Sequence, residues 1–270
     1  MISFKSIFLF LNGLFLLLNT SWAWSQPVIK IPNLPSSTIP SSDSSLLVIG
    51  VDSNTPPYVI QGGLGQLYGY DISMMNYICL VLKRTCQFKP MKWMNLIPAL
   101  MNNEIDLAVS DITITPERAK KINFSLPYAL SYSRFLTNVD NSVPNPFQLN
   151  ALDGKRIGVD EGTIYEEQIN HMGIKNLVVV TYPDDDEGIK ALTNKDIDYL
   201  LLDNPTALYW ASNSSGTLKV IGKPYSYGYG AGIGISNAAA SLMPAINQAL
   251  LQYQNSNDYK ENYKRYLDFF

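Results

Sequence analysis

Residues 110–128 read SDITITPERAKKINFSLPY, and they follow the short apolar run Ile105–Val109. The apolar run predicts a buried strand. Thr115 and Pro116 together predict a helix start, because a threonine hydroxyl can cap free backbone N–H groups and proline lacks the N–H that would be unpaired at the first helical position. A strand end and a helix start therefore fall within a few residues of each other.

The residues between this strand and this helix indicate an anion site. Exposed backbone N–H groups at a helix N-terminus favour negative charge, and Thr113 adds a hydroxyl donor. The planar guanidinium of Arg118 can bind a carboxylate through two hydrogen bonds. A second interpretation is structural: a capped helix in which Arg118 pairs with Glu117 or another acid on the surface. The rest of the chain has to decide between a carboxylate pocket and a charged helix face.

Strand-like runs alternate with segments of helical apolar spacing over most of the chain, which predicts an α/β fold with crossover connections. Extended stretches at 131–147 and 227–236 interrupt the alternation, so the simplest arrangement is two α/β lobes joined by two extended crossings. The expected lobes are 46–137 with 234–270, and 138–233. Predicted strands cover 46–51, 87–91, 105–109, 156–160, 177–182 and 197–203, and predicted helices cover 71–84, 96–103, 163–172, 186–194, 205–211 and 239–270.

The N-terminus has the layout of a secretory signal peptide. Lys5 precedes an apolar run, and Ser21-Trp22-Ala23 then offers small residues for cleavage before Trp24. The run is short for a membrane span of about 20 residues, although an uncleaved anchor is the alternative. Residues 24–45 are rich in Pro and Ser and predict a flexible leader. We therefore expect a mature protein that works outside the cytoplasm.

Composition narrows the partners and the redox state. The formal charge of −3 makes nucleic acid and anionic membranes poor partners, because both attract basic surfaces. Two cysteines, Cys79 and Cys86, suggest a local disulfide in an oxidising compartment, with two buried thiols as the alternative. A zinc site is not expected, because no histidine lies near them. We expect neither a metal nor a cofactor.

Several polar residues fall at or just after predicted strand ends, where ligands bind in open α/β sheets. Asp52, Asp111, Thr163 and Asp203 are in such positions, and Trp93 precedes a predicted helix and could stack on a cation. Each has an ordinary explanation as well. An aspartate can cap a helix, the EGT sequence at 161–163 can be a plain turn, and a tryptophan beside an apolar helix is usually core.

Other patterns give little support to catalysis or nucleotide binding. His171 is the only histidine, it sits in a predicted helix, and no Gly-x-Ser-x-Gly elbow is present. The acidic run at 184–187 is more typical of a solvated turn with a helix cap than of a cation site. The glycines of YGYGAGIG, at 227–234, do not fit a dinucleotide-binding loop. We therefore expect no catalytic residues.

Taken together, the motifs resemble those of bacterial family 3 solute-binding proteins, the extracytoplasmic subunits of polar amino-acid ABC transporters. The segments on which the resemblance rests occur in the family's order and cover nearly all of 46–270. They are GYDISMMNYICLVL, KWMNLIPAL, VSDITITPERAKKINFSLPY, GVDEGT and IDYLLLDNPTALYW. The spacing of the two cysteines also resembles the disulfide of the lysine/arginine/ornithine and histidine binders. The resemblance implies a periplasmic-binding-protein type II fold.

In this family, the residues matching Arg118 and Thr113 bind the α-carboxylate of an amino acid. The turn matching Thr163 assists from the other lobe, and the acid matching Asp203 binds the α-ammonium. Closing the lobes removes water from these charges and strengthens each contact.

The family's side-chain pocket is implied at Trp93 and Asp52, the latter able to meet a basic ligand. The sequence departs from the family pattern at three positions. Ser73 replaces an acid, Thr55 stands where cation binders often have an aromatic ring, and Asp111 stands where Gly or Ser is common. An extra carboxylate at Asp111 would favour a cationic ligand, but it could also pair with Arg118 and weaken carboxylate binding.

The resemblance implies a periplasmic, monomeric binding protein for arginine, lysine or ornithine, with an inner-membrane ABC permease as its partner. Two alternatives remain. One is a periplasmic enzyme of the same fold, similar to dehydratases, for which Glu161 and Asp111 are the candidate acids. The other is a ligand sensor that acts through a separate membrane protein.

Overall fold

The computed structural model describes residues 46–268, so the predicted signal peptide and leader lie outside the described residues, as does the end of the last predicted helix. Within this range every helix is too short or too polar to span a bilayer. The strands are β1 (Leu46–Val51), β2 (Asn54–Thr55), β3 (Val59–Gln61), β4 (Leu67–Tyr68), β5 (Thr85–Pro90), β6 (Leu107–Ala108), β7 (Asn123–Phe124), β8 (Tyr132–Asn138), β9 (Arg156–Asp160), β10 (Val178–Tyr182), β11 (Tyr199–Asp203), β12 (Leu218–Ser226) and β13 (Gly234–Ile235). The α-helices are α1 (Tyr70–Leu82), α2 (Trp93–Met101), α3 (Pro116–Ala119), α4 (Tyr165–Asn170), α5 (Asp185–Thr193), α6 (Asn204–Asn213), α7 (Met243–Gln254) and α8 (Asn257–Tyr266).

The first sheet has the strand order β5-β1-β6-β13-β7. β1 is the apolar run LLVIGV, and it pairs in parallel with β5 on one side and β6 on the other. β13 returns antiparallel between β6 and β7. Apolar clusters cover both faces of the sheet, one built with α1 and α7 and the other with α2. A strand that is buried on both faces reads as a continuous apolar run, which is why β1 was predictable.

The second sheet has the order β10-β9-β11-β8-β12 and is again parallel at its centre. β9 pairs in parallel with β10 and β11, whereas β8 runs antiparallel to β11 and β12. Residues of α4 pack in the cluster on one face, and residues of α5 and α6 in the cluster on the other. The predicted helix–strand alternation of this half is confirmed.

We call residues 46–124 with 234–268 the first lobe, and residues 132–226 the second lobe. The sequence pattern predicted residues 132–137 in the first lobe, but the pairing of β8 with β11 and β12 places them in the second sheet. The two crossings, 125–131 and 227–233, run side by side: the Tyr128 amide donates to the Ala231 carbonyl at 2.8 Å, and the Ala231 amide donates to the Ala129 carbonyl at 2.9 Å. Gly230 has φ +92°, and a Cβ there would lie 2.6 Å from the Ala129 carbonyl oxygen.

Element ends differ from the predictions in ways that local hydrogen bonding explains. The predicted strand Ile105–Val109 is paired as a strand only at Leu107–Ala108. The predicted last helix divides into a short 3₁₀ turn, α7 and α8, because Ser256 caps a new helix by accepting a hydrogen bond from the Tyr259 amide at 3.1 Å. The predicted cap at Thr115 is confirmed, since its hydroxyl accepts from the Arg118 amide at 3.2 Å.

Cys79 and Cys86 form a disulfide between α1 and β5, with a Cα–Cα distance of 6.2 Å. It closes the turn after α1, where Lys83 has a left-handed φ of 54°. Cys79 is buried within the apolar cluster of the first lobe. The bond therefore ties the helix end to the edge strand of the first sheet.

We expect the double variant Cys79→Ala/Cys86→Ala to fold and to lose about 2 kcal/mol of unfolding free energy, because a short closed loop contributes little chain entropy. Chemical denaturation of the purified protein measures the change. Dithiothreitol should lower the midpoint of the wild type toward that of the variant and leave the variant unchanged. Equal midpoints for the oxidised wild type and the variant would contradict the expectation.

Candidate ligand-binding site

Acidic residues mark the carboxyl ends of parallel strands in both sheets. Asp52 follows β1 and Asp111 follows β6 in the first lobe, while Asp160 ends β9 and Asp203 ends β11 in the second. The carboxyl ends of the two sheets face the same cleft, as the rule for open α/β sheets requires. The topology therefore brings four aspartates from distant parts of the sequence into one pocket.

The pocket between the lobes holds all seven predicted ligand-binding residues. The empty space inside it, which includes volume open to solvent, is about 420 Å³. The lining consists of Asp52, Thr55, Trp93, Asp111, Thr113, Arg118, Asp160, Thr163, Ile164, Tyr165, Asp185, Leu202, Asp203 and Thr206.

Arg118 is the cation among these lining residues, and both lobes hold it. Its Nη1 donates to the Thr113 carbonyl at 2.9 Å, and its Nη2 reaches across the cleft to the Gly162 carbonyl at 3.3 Å. Its Cζ lies 5.3 Å from the centroid of the Trp93 ring, close enough for a cation–π contact. Burial lowers the pKa of Arg118, but a guanidinium stays charged at neutral pH. The alternative prediction, that Arg118 pairs with an acid on the surface, is wrong, because Arg118 is only 8% exposed.

The backbone at Asp111 is fixed in a rare conformation. Its φ is +49°, a left-handed value that aspartate tolerates better than most residues but less well than glycine. Its amide donates to Asp71 Oδ2 at 2.9 Å and lies 3.0 Å from the Tyr128 hydroxyl. That hydroxyl in turn donates to Asp71 Oδ2 at 2.9 Å. Asp71 belongs to the GYD motif, so the motif anchors the turn that carries Asp111.

The carboxyls of Asp111 and Asp203 meet across the cleft. Asp111 is 3% exposed, and neither of its carboxyl oxygens has a donor from the described residues in hydrogen-bond geometry. Burial, followed by the charges of Asp203 and Asp71, raises the pKa of Asp111 well above its usual range, and the nearby Tyr58 hydroxyl offsets part of this rise. Burial also raises the pKa of Asp203 to about 6, although hydrogen bonds from Tyr165 and Asp111 oppose the rise. Both shifts favour protonation, and one proton held between the two carboxyls would relieve their repulsion.

The remaining predicted residues are also in the pocket, with partners of their own. Burial raises the pKa of Asp52 to about 6, and hydrogen bonds from Thr55 and the Asn54 amide lower it in part. The Thr113 hydroxyl lies 3.3 Å from that of Ser131. Thr163 donates its hydroxyl to the Asp160 carbonyl at 2.6 Å, so this hydroxyl would have to give up the bond to donate to a ligand.

Four polar residues of the second lobe were missed from the sequence: Asp160, Tyr165, Asp185 and Thr206. Asp160 could have been found, because it ends a predicted strand just as Asp203 does. Asp185 was hidden in the acidic run at 184–187. Asp184 is the predicted helix cap, accepting from the Glu187 amide at 3.0 Å, but the next residue, Asp185, is 5% exposed and faces the pocket.

Two α/β lobes with a charged pocket between them are typical of a protein that captures a small ligand in the cleft. The chain belongs to the bacterial extracellular solute-binding proteins, family 3, whose sequence profile matches residues 47–269. Its fold is the periplasmic-binding-protein type II fold. Members of this family bind amino acids outside the cytoplasm.

Individual relatives differ in the amino acid they are named for. The chain is 30% identical over 208 residues to the L-cystine-binding protein TcyJ of Escherichia coli K12, covering 77% of each. It is 30% identical over 234 residues to the histidine-binding periplasmic protein of the same strain, covering 82% of this chain and 87% of the relative. A crystal structure of an arginine third transport system periplasmic binding protein from Legionella pneumophila is 34% identical, with a TM-score of 0.77, covering 82% of this chain and 99% of that one.

We expect Asp111→Asn to raise the unfolding free energy at pH 7 by about 1–3 kcal/mol, because a buried carboxyl without a donor is removed and Asn tolerates the same backbone. The native pKa of Asp111 is raised. The native state therefore binds more protons than the unfolded state, and stability falls as pH rises through the native pKa. The gain should therefore shrink toward pH 4, where Asp111 of the unfolded wild type also begins to bind a proton.

Urea denaturation at pH 4 and pH 7 tests this with Asp258→Asn as a control, since Asp258 is exposed on α8. The control should change stability by less than about 0.5 kcal/mol at either pH. A loss of stability for Asp111→Asn at pH 7 would show that Asp111 is satisfied in the native protein.

Proposed function

We propose that this protein is the substrate-binding component of an amino-acid ABC transporter and that it takes a basic, arginine-like amino acid. The observation that carries the proposal is the charge of the pocket. Five aspartates and one arginine line it, and the arginine is held by both lobes. A ligand with one carboxylate and more than one cationic group complements that arrangement.

Each part of an amino acid has a chemical counterpart in the pocket. Two N–H groups of Arg118 are engaged by carbonyls, and the others can bind an α-carboxylate, which is the strong charge-assisted pairing for a guanidinium. The carboxyl pair Asp111–Asp203 can accept hydrogen bonds from an α-ammonium. The Trp93 ring lies over Arg118 and would support the guanidinium from the side facing the first lobe.

Cystine is the main rival ligand, because TcyJ is named for it. Cystine carries two carboxylates as well as two ammonium groups. Among the residues that line the pocket, Arg118 is the cation that can bind a carboxylate, and the other charged residues are acids. The second carboxylate of cystine would be placed among carboxylates without a counter-charge, which disfavours it. This difference supports arginine, lysine or ornithine over cystine.

An enzyme of the same fold is the second candidate function. A buried carboxyl with a raised pKa in a cleft suits a general acid, and Asp111 fits that description. Glu161 does not support it, since its side chain is exposed and it is not among the lining residues. The relatives described above are binding proteins by name, and this supports capture without turnover.

We propose further that residues 1–23 are a cleaved signal peptide, that the mature protein is a periplasmic monomer, and that it delivers its ligand to an inner-membrane permease. The extracellular or periplasmic setting of the family supports the signal peptide and the periplasmic location. The disulfide also supports an oxidising compartment. A sensor that reports to a membrane partner would use the same closure of the lobes, with a different membrane protein as its target.

Titration calorimetry of refolded, ligand-stripped mature protein with a panel of amino acids tests the proposal. We expect one-to-one binding, tightest for arginine, lysine or ornithine. Arg118→Ala should weaken it by about 100-fold or more, because a charge-assisted carboxylate contact is lost.

Arg156→Ala is the matched control, because Arg156 pairs with Asp198 on the surface of the second lobe and does not line the pocket. It should bind as the wild type does. Preference for glutamine, glutamate or cystine would contradict the choice of ligand, and chemical change of the bound amino acid would favour the enzyme.

A further inference from the structure

The second lobe contributes a wall of polar side chains that the α-carboxylate and α-ammonium of an amino acid do not use. Asp160 comes from the end of β9, Asp185 from the first turn of α5, and Thr206 from the first turn of α6. Trp210, one turn further along α6, points its Nε1 at Asp185 Oδ2 over 3.5 Å. Three separate elements thus converge on one part of the pocket.

Two polar atoms of this wall have no hydrogen-bond partner among the described residues. Thr206 is 2% exposed and its hydroxyl has no hydrogen-bond partner among the described residues, and Asp160 Oδ1 also lacks one. Buried polar groups are normally paired, so such groups in a pocket indicate a ligand that pairs with them. A carboxyl pair and a hydroxyl offer mainly acceptors, which a guanidinium or ammonium satisfies because it has only donors.

Asp160 is an electrostatic neighbour of acids on two other elements of the second lobe. Burial is the main cause of the raised pKa of Asp185, and the charges of Asp160 and Asp52 add to it. Burial is also the main cause for Asp203, where hydrogen bonds from Tyr165 and Asp111 oppose the rise and the charge of Asp160 adds to it. A ligand that is anchored at Arg118 would present its side-chain end to the group formed by Asp185 and Asp52.

Asp160 and Asp185 are buried carboxyls that influence each other's pKa, and two such groups can hydrogen-bond to each other only when they hold a proton between them. Burial, then the charge and hydrogen bond of Asp160, raises the pKa of Asp185 well above its usual range. The charged or titratable groups around the pair are Asp184 on its own helix, Asp52 from the first lobe, and Asp203 and Tyr165 from the second. These neighbours are acids and a tyrosine, so a cation must come from the ligand.

We propose that Asp160, Asp185 and Thr206 bind the cationic end of the ligand's side chain, and that the Asp160–Asp185 pair gives up its shared proton to solvent when that end binds. This rests on the proposed function, since it assumes an amino acid anchored at Arg118. The step breaks one carboxyl O–H bond and passes that proton to buffer. The pair changes from one negative charge to two, and the ligand cation neutralises the added charge.

A comparison of arginine with citrulline distinguishes this proton from others released on binding, because citrulline has the same length but a neutral ureido end. Either ligand can displace a proton held between Asp111 and Asp203, so that release cancels in the comparison. Calorimetry at pH 7 in two buffers with different ionisation enthalpies counts the protons released. We expect arginine to release about one proton more than citrulline from the wild type.

The same linkage sets the pH dependence of selectivity. Cation binding favours the deprotonated pair, so the preference for arginine over citrulline should rise about tenfold per pH unit while the pair remains protonated. Asp185→Asn and Asp160→Asn should each abolish both the extra proton and this rise. Thr206→Val should weaken arginine binding several-fold without changing the proton count. Asp186→Asn, an exposed neighbour on α5, should behave as the wild type.

The outcomes distinguish this proposal from the proposed function. If arginine and citrulline both bind and release equal numbers of protons, the second-lobe site is refuted while amino-acid capture stands. If no amino acid binds the stripped wild type, the proposed function fails and this inference fails with it. The wild-type comparison decides the matter even if one of the aspartate variants does not fold.

Discussion

Two carboxyls that meet across the cleft, Asp111 from the first lobe and Asp203 from the second, set the condition under which the lobes can close. Neither Asp111 oxygen has a donor from the described protein. Two ionised carboxylates that meet in a buried site repel each other, and at an effective dielectric constant near 20 two unit charges at about 4 Å repel by about 4 kcal/mol. A proton between them or a cation from outside removes this repulsion. In the proposed function the α-ammonium of the ligand is that cation, so ligand binding would also favour the closed arrangement of the lobes.

Arg118 is the positively charged counterpart of these acids in the pocket. It is carried by the short helix that Thr115 caps, and its guanidinium touches carbonyls of both lobes, at Thr113 and Gly162. A carboxylate bound there would add a second bridge between the lobes without displacing the first. The parallel centres of both sheets explain why these groups meet, because parallel strands deliver their following residues to one edge. The crossings at 125–131 and 227–233 then set the two edges face to face.

Much of this arrangement could be predicted from the sequence, because it depends on local rules. Asp111 and Asp203 follow apolar runs that had to be strands, and the Thr115-Pro116 start placed Arg118 beside them. Asp185 and Thr206 were out of reach for a different reason. Each lies in the first turn of a helix, Asp185 within the acidic run at 184–187 and Thr206 three residues after Asp203. Only the packing of α5 and α6 against the second sheet turns these two side chains toward the pocket, and that packing is a tertiary fact.

The pocket has more acids than cations, so a ligand's charge would decide how well the negative charge of the pocket is balanced. A ligand shifts an open–closed equilibrium only by the difference between its affinities for the two states. In the described structure Asp52 of the first lobe is influenced by the charge of Asp160, and Asp111 by that of Asp203, so an opening of the lobes would separate these negative charges. With a neutral ligand side chain, Asp52 and Asp160 would have to stay protonated to avoid repulsion, and an anionic side chain would add to the repulsion. If the protein takes the basic amino acid proposed above, a cationic side chain would gain more in the closed state than in an open one, and charge as well as shape would be the basis of discrimination.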